Sequence, residues 1–166
     1  EHSKTLQVMC GANTPAYVSV QDNRNTSAIM DTAMKTALGD ASLADTQVFG
    51  LGTNVENTSE NIGAYTIKMG PADVVTTFGG GAVKQAAVLS STDKAAWTAS
   101  TLPVAMSGNA AQYYSAGEAT SSATPVSGRT WSFPLTVKAA LNNTTGLSVI
   151  NSVPLDGSAT FTVSYH

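Results

Sequence analysis

Side chains able to carry acid–base or nucleophilic chemistry are few in this chain and poorly placed for it. The two histidines, His2 and His166, stand at opposite ends of the 166-residue sequence. No interior imidazole is therefore at hand to activate a serine, or the single cysteine Cys10, in a Ser-His-Asp or Cys-His arrangement. Zinc draws its ligands mainly from Cys and His, and one cysteine with two terminal histidines does not make such a site. Catalysis by paired carboxylates stays chemically open with eleven Asp and Glu in the chain, but none of them falls in a recognisable motif. The run Phe78-Gly79-Gly80-Gly81 has no Gly-Lys-Ser/Thr after it and opens no helix, so it reads as a loop and not as a phosphate cradle. The census points away from an enzyme and calls for no cofactor and no metal.

What remains is recognition. Trp97, Tyr113 and Tyr114 are candidates to face a ligand, because aromatic faces with Asn and Asp nearby suit sugar stacking and hydroxyl recognition. Trp131 lies inside an alternating apolar run and reads as core. Cys10 reads either as a small buried hydrophobe, the common state of a free thiol, or as half of a disulfide whose partner precedes Glu1.

The elements that must position these residues are short strands. Charged residues make up 11% of the chain, against about 25% in an average soluble domain. Ser, Thr, Asn and Gly take their place, a composition that favours strands and turns over exposed helices. A net charge of −3, with eight Lys and Arg scattered along the sequence, offers no patch for nucleic-acid phosphates. No apolar run approaches the roughly 20 residues that span a bilayer, so no membrane insertion is expected. The opening Glu1-His2-Ser3-Lys4 has no signal-peptide pattern, and the chain is expected to be a processed or trimmed product.

Leu6, Val8 and Cys10 alternate as one face of a half-buried strand. Tyr17–Gln21 resumes the alternation after Pro15, and the two segments are expected to be antiparallel neighbours. The one expected helix is Ser27–Leu38, with Ser27 as N-cap and Gly39 as stop. Further strands are expected at Gln47–Thr53, Ile62–Met69, Val74–Phe78, Val83–Ser90, from Tyr113-Tyr114 and at Thr130–Ala140, where Pro134 requires an edge, a strand start or a bulge. Leu147–Val153 and Ser158–His166 complete the set. Between them, Ser91–Pro103 reads as a polar connection and Ala119–Ser127 as a linker. Many short strands punctuated by turns indicate an all-β antiparallel β-sandwich with a short helical insertion around 27–38. The length suits one domain, 1–166.

Thr5-Leu6-Gln7-Val8-Met9-Cys10, Tyr17-Val18-Ser19-Val20-Gln21-Asp22-Asn23-Arg24, Phe49-Gly50-Leu51-Gly52-Thr53 and Asn61-Ile62-Gly63-Ala64-Tyr65, taken in order, resemble a group of secreted proteobacterial fimbrial-type proteins associated with chaperone–usher pili. The last strand is similar to fimbrial subunits in a separate way. Ala159, Phe161 and Val163 alternate up to the penultimate aromatic Tyr165. The resemblance implies an immunoglobulin-like, pilin-type sandwich. It also implies that Ala159, Phe161, Val163 and Tyr165 form the edge that meets a periplasmic chaperone and later borders a groove filled by a neighbouring subunit's strand. In such subunits the residue matching Cys10 bonds a cysteine in a preceding strand. Neither that strand nor a donor segment precedes Lys4, so the domain is expected to lack both.

Two readings follow. The first is a structural or minor subunit of an extracellular, cell-surface fimbrium, exported through the periplasm and assembled by donor-strand exchange. Its partners are neighbouring subunits, the chaperone and the outer-membrane usher. The alternative is a receptor- or glycan-binding adhesin domain of the same kind of pilus, with a host or surface receptor as partner. The physical core of the first reading is general: a sheet edge left unpaired is adhesive, and a strand from another chain can pair with it through main-chain hydrogen bonds.

Overall fold

The structure, a computed structural model, describes residues 1–120, 123–143, 145–148 and 152–165. In chain order its elements are β1 (His2–Thr14), β2 (Ala16–Asp22), α1 (Thr32–Ala37), β3 (Phe49–Gly50), β4 (Gly63–Met69), β5 (Asp73–Val75), β6 (Val83–Lys84), β7 (Ala87–Ser91), β8 (Thr98–Ser100), β9 (Val104–Ala105), β10 (Tyr113–Gly117), β11 (Gly128–Leu141) and β12 (Ala159–Tyr165). Two antiparallel sheets hold them. The larger has seven strands, with β3-β4-β11-β5-β6 as its path, β1 on β11 and β9 on β4; the smaller has five in the order β12-β2-β10-β7-β8. The fold is a mostly β sandwich with one short helix.

The core lies between the sheets. Ala16, Val18 and Val20 of β2, Tyr114 and Ala116 of β10 and Val88 of β7 meet Tyr65, Ile67 and Met69 of β4 and Trp131, Phe133 and Leu135 of β11. These residues recur every second position, which is why alternation in the sequence foretold the faces so well. Trp131 is fully buried and stacks on Phe133 at 5.7 Å between ring centroids. Pro134 sits on a central strand and is accommodated by a bulge: between the pairs Ser132–Asp73 and Leu135–Met69, β11 advances three residues and the opposing segment four. The Gly70 N–H donates to the Pro134 carbonyl across that irregularity.

Three local expectations are corrected. β1 and β2 are not neighbours: β1 pairs β11, with Leu6 opposite Phe133 and Val8 opposite Trp131, whereas β2 lies in the other sheet between β12 and β10. The link at Thr14–Pro15 carries the chain from one layer to the other instead of turning it back. The helix is also shorter than 27–38, because Ser27 is engaged elsewhere (below). Asp31 is the N-cap, its carboxylate accepting the Met34 N–H at 2.7 Å. Gly39, at φ +95°, does end the helix. α1 lies on the outer face of the larger sheet, where Met34, Leu38, Leu43 and Val48 pack with Ala64. Finally, the connection around Trp97 contains a strand, β8, which pairs with β7. The expected strand at Leu147–Val153 runs into 149–151, and His166 closes the chain; both lie outside the described residues.

Candidate functional site

β12 is an edge strand whose only strand partner among the described residues is β2, in the register Ala159–Asp22, Phe161–Val20, Val163–Val18 and Tyr165–Ala16. Directly opposed residues share a face of the sheet. Ala16, Val18 and Val20 belong to the core, so Ala159, Phe161, Val163 and Tyr165 point inward too. Their burial does not match that direction. Ala159, Phe161 and Val163 are only half-buried, and Tyr165 is 70% exposed.

The second layer repeats the pattern. β1 pairs only with β11 among the described residues. Leu6 and Val8 lie opposite the buried Phe133 and Trp131, yet they are half-buried, as is Cys10. Among the described residues, nothing fully covers the inward-facing side chains of either edge. At the end where the two strands converge, Met9, Cys10, Gly11, Ala12, Thr14 and Tyr165 line a cavity of about 400 Å³. The geometry is a sandwich with an open seam, walled by β1 on one side and β12 on the other.

A polar corner fixes the β12 wall, and it is built from the motifs that stood out in the sequence. Asp22, 4% exposed, accepts the Arg24 N–H at 2.8 Å and the Gly50 N–H at 2.9 Å. Ser27 Oγ donates to the Arg24 carbonyl at 2.8 Å and accepts the Gly52 N–H at 2.9 Å. The Asp22-Asn23-Arg24 turn and the Phe49-Gly50-Leu51-Gly52 segment are thus two halves of one joint. Asn23 extends it to the wall, its amide donating to Ser158 Oγ and Thr160 Oγ1, both at 3.0 Å. Arg24 holds Asp156 through contacts of 2.8 and 3.2 Å. That ion pair raises the Arg24 pKa and lowers that of Asp156. The glycines of the Phe-Gly-Leu-Gly run allow close approach, Gly50 to the Arg24 backbone and Gly52 to Asp156.

A second polar knot lies on the loop from Asn54 to Glu60. Glu60 accepts the Ser148 N–H and hydroxyl, both at 2.7 Å, together with the amides of Asn54 and Asn57. Four donors to one carboxylate favour its charged form and draw the Glu60 pKa down from 4.5 to about 2. The folded-state pKa is the depressed one, so this contribution to stability is complete above about pH 4.5 and is lost as the pH falls toward 2. Thermal midpoints of wild type and Glu60→Gln should therefore differ at pH 7 and converge with acidification through that window. A constant difference down to pH 2 would show the knot is not ionic.

The aromatic candidates separate. Tyr114, expected to face a ligand, is instead fully buried; its hydroxyl accepts the Ser107 N–H at 2.7 Å and contacts Gln112 at 3.2 Å. Adjacent residues on a strand point to opposite faces, so Tyr113 and Tyr114 could not both look outward. Trp97 and Tyr113 are half-buried. Trp97 stacks on Tyr17 at 5.4 Å and donates its indole N–H to the Lys94 carbonyl, while the Lys94 ammonium lies 4.4 Å from the Tyr113 ring. Trp97 also lines an open cleft with Thr98–Leu102, Ala119 and Thr120.

No protein-family model, curated protein or solved structure matches the chain. Among the described residues no group of His, Cys, Asp and Glu is placed to hold a metal ion. None of their helices is long and apolar enough to cross a membrane. The sequence holds one cysteine, so no disulfide forms within these 166 residues, and the bond expected of Cys10 is absent from the chain as given. Sequence reasoning placed Ala159, Phe161, Val163 and Tyr165 on one face of the last strand, where their register on β2 puts them, and did not foresee the β1 wall. Leu6, Val8 and Cys10 alternate as one face, but β1 was expected to pair with β2, whereas it lies in the other sheet on β11.

Proposed function

We propose that this chain is a structural or minor subunit of a chaperone–usher-type surface fimbrium, with an immunoglobulin-like, pilin-type sandwich completed by a strand from a neighbouring subunit. The observation carrying this reading is Tyr165, an inward-facing residue on an edge strand that nonetheless stands 70% exposed beside the cavity shared with β1. A strand laid between β1 and β12 would pair with both free edges and cover Leu6, Val8, Phe161 and Val163. Main-chain bonds would supply affinity and alternate side chains register. Removing such a strand would mean reopening the core, so the assembly would be long-lived. In the cell the chaperone would occupy the same edge before the next subunit does, and the usher would release it outside. The adhesin alternative has less behind it, because Tyr114 is core and Trp97 and Tyr113 have ring or cation partners within the chain.

The test is a synthetic peptide alternating valine with threonine and lysine, alongside a control of the same composition with its valines in one block. The alternating peptide is expected to raise the thermal midpoint and to slow amide exchange along both β1 and β12, and the control to do neither. Unchanged exchange on β12 at saturating peptide would overturn the reading.

A further inference from the structure

We infer that β1 is an exchangeable strand, able to leave β11 of its own chain and take the same place on β11 of a second copy. This goes beyond the function proposed above: there an added strand lies between β1 and β12, whereas here β1 itself changes owner, and the exchange does not depend on the seam being filled.

Three observations carry it. The first is that β1 is held by main-chain pairing along one neighbour, with Leu6 and Val8 resting on the core but no side chain fully buried. All its strand pairing among the described residues is with β11, and none of its 13 residues is buried; Leu6, Val8, Cys10 and Thr14 are half-buried and the rest exposed. The other strands that pair with β11 over three or more residues, β4 and β5, each contribute fully buried side chains. The second is the hinge. The ladder runs unbroken from His2–Val137 to Met9–Thr130, then loses register until Thr14 meets Gly128. Cys10 to Asn13 form the irregular stretch between them, tied to β11 by the Arg129 guanidinium donating to the Gly11 carbonyl, and Pro15 follows. Proline disfavours helical backbone at the residue before it, so Thr14 stays extended and the segment can straighten away from the domain. Five residues, 10–14, reach about 16 Å when extended, enough to carry β1 across to an adjoining molecule.

The third observation names the occupant. The strip of β11 that β1 covers is already complementary to the sequence of β1, residue by residue: Leu6 on Phe133, Val8 on Trp131, Gln7 on Ser132. A vacated β11 therefore accepts a second copy's β1 with every native contact intact. Because the contacts are the same in both forms, the balance is set by concentration against the entropy of the hinge. The exchange can be reciprocal and close as a symmetric dimer, or run on from copy to copy.

The experiment uses full chains with Cys10→Ser, one carrying Gln7→Cys and the other Ser132→Cys. The two are unfolded together, refolded at high concentration and oxidised. A disulfide between different chains linking positions 7 and 132, identified by peptide mass, is the expected product, in clear excess over 7–7 and 132–132 pairs. The triple variant Cys10→Ser/Gln7→Cys/Ser132→Cys, oxidised when dilute, should close the bond within one chain and so reports folding and register. An intrachain bond there, with no 7–132 link in the mixture, overturns the exchange. Failure of the intrachain bond overturns it as well, since the ladder it presumes would be missing. A failed peptide experiment on the seam would leave both of these outcomes untouched.

Discussion

Gly50→Ala is expected to be the most damaging single-methyl change in the protein. A Cβ at this position would lie 2.0 Å from the Arg24 carbonyl oxygen and 2.4 Å from Ser27 Oγ. The first is backbone and has no rotamer to escape into; the second already holds the Gly52 N–H. Relief has to come from moving β3 away from the Asp22 turn, which lengthens the Gly50 N–H bond to the buried carboxylate. Overpacking alone costs about 1–3 kcal/mol, and loosening a buried bond to a charged group adds about 1.5–3. The expected total is about 2.5–6 kcal/mol, which for a chain of this size lowers the thermal midpoint by about 5–24 °C. Gly81→Ala is the control, since nothing lies within 4 Å of its added carbon; it should change stability by no more than about 0.5 kcal/mol. Calorimetry on the two variants decides the matter, and equal midpoints would show that the corner is not as tight as its distances imply.

The same corner shows which kind of information the sequence carried. Asp22-Asn23-Arg24 and Phe49-Gly50-Leu51-Gly52 were conspicuous as separate motifs, one a turn and the other a glycine-rich strand. Their meaning is joint: the carboxylate of one receives the backbone of the other, and Asn23 passes the constraint to Ser158 and Thr160 at the head of β12. A linear reading sees residue types and local spacing, and a contact across 25 or 135 residues leaves no mark on either. Faces were legible for the same reason in reverse. Alternation is local, so the inward side of β11 and β12 could be read directly from Trp131, Phe133, Phe161 and Val163. Partners were not legible: Leu6 and Val8 would alternate identically beside β2 or beside β11, and only the global topology chose β11. Ser27 misled for a related reason. It satisfies the rules for an N-cap, but its hydroxyl is used by Arg24 and Gly52, and the cap passes to Asp31.

Introducing a carboxylate at Phe161 should abolish strand acceptance while its neighbour tolerates the same change. Phe161 faces inward opposite Val20 and packs, half-buried, on the core. Thr162 is exposed, as the outward position of an edge strand should be. In the free protein a carboxylate at 161 can still turn toward the open seam and keep some water, so the fold is expected to survive with a lowered midpoint. An incoming strand removes that water, and burying a charge without a partner is far more costly than burying a neutral polar group. Phe161→Asp should therefore weaken the alternating peptide at least about a hundredfold, equivalent to roughly 2.7 kcal/mol. Thr162→Asp should stay within about twofold, because its side chain remains in solvent in both states. Circular dichroism checks that both variants are folded, and titration followed by amide exchange on β12 reads the affinity. Equal weakening by the two substitutions would mean the peptide responds to the net charge of the edge rather than to the inward face. That result would separate the seam from strand recognition even if the peptide still bound the wild type.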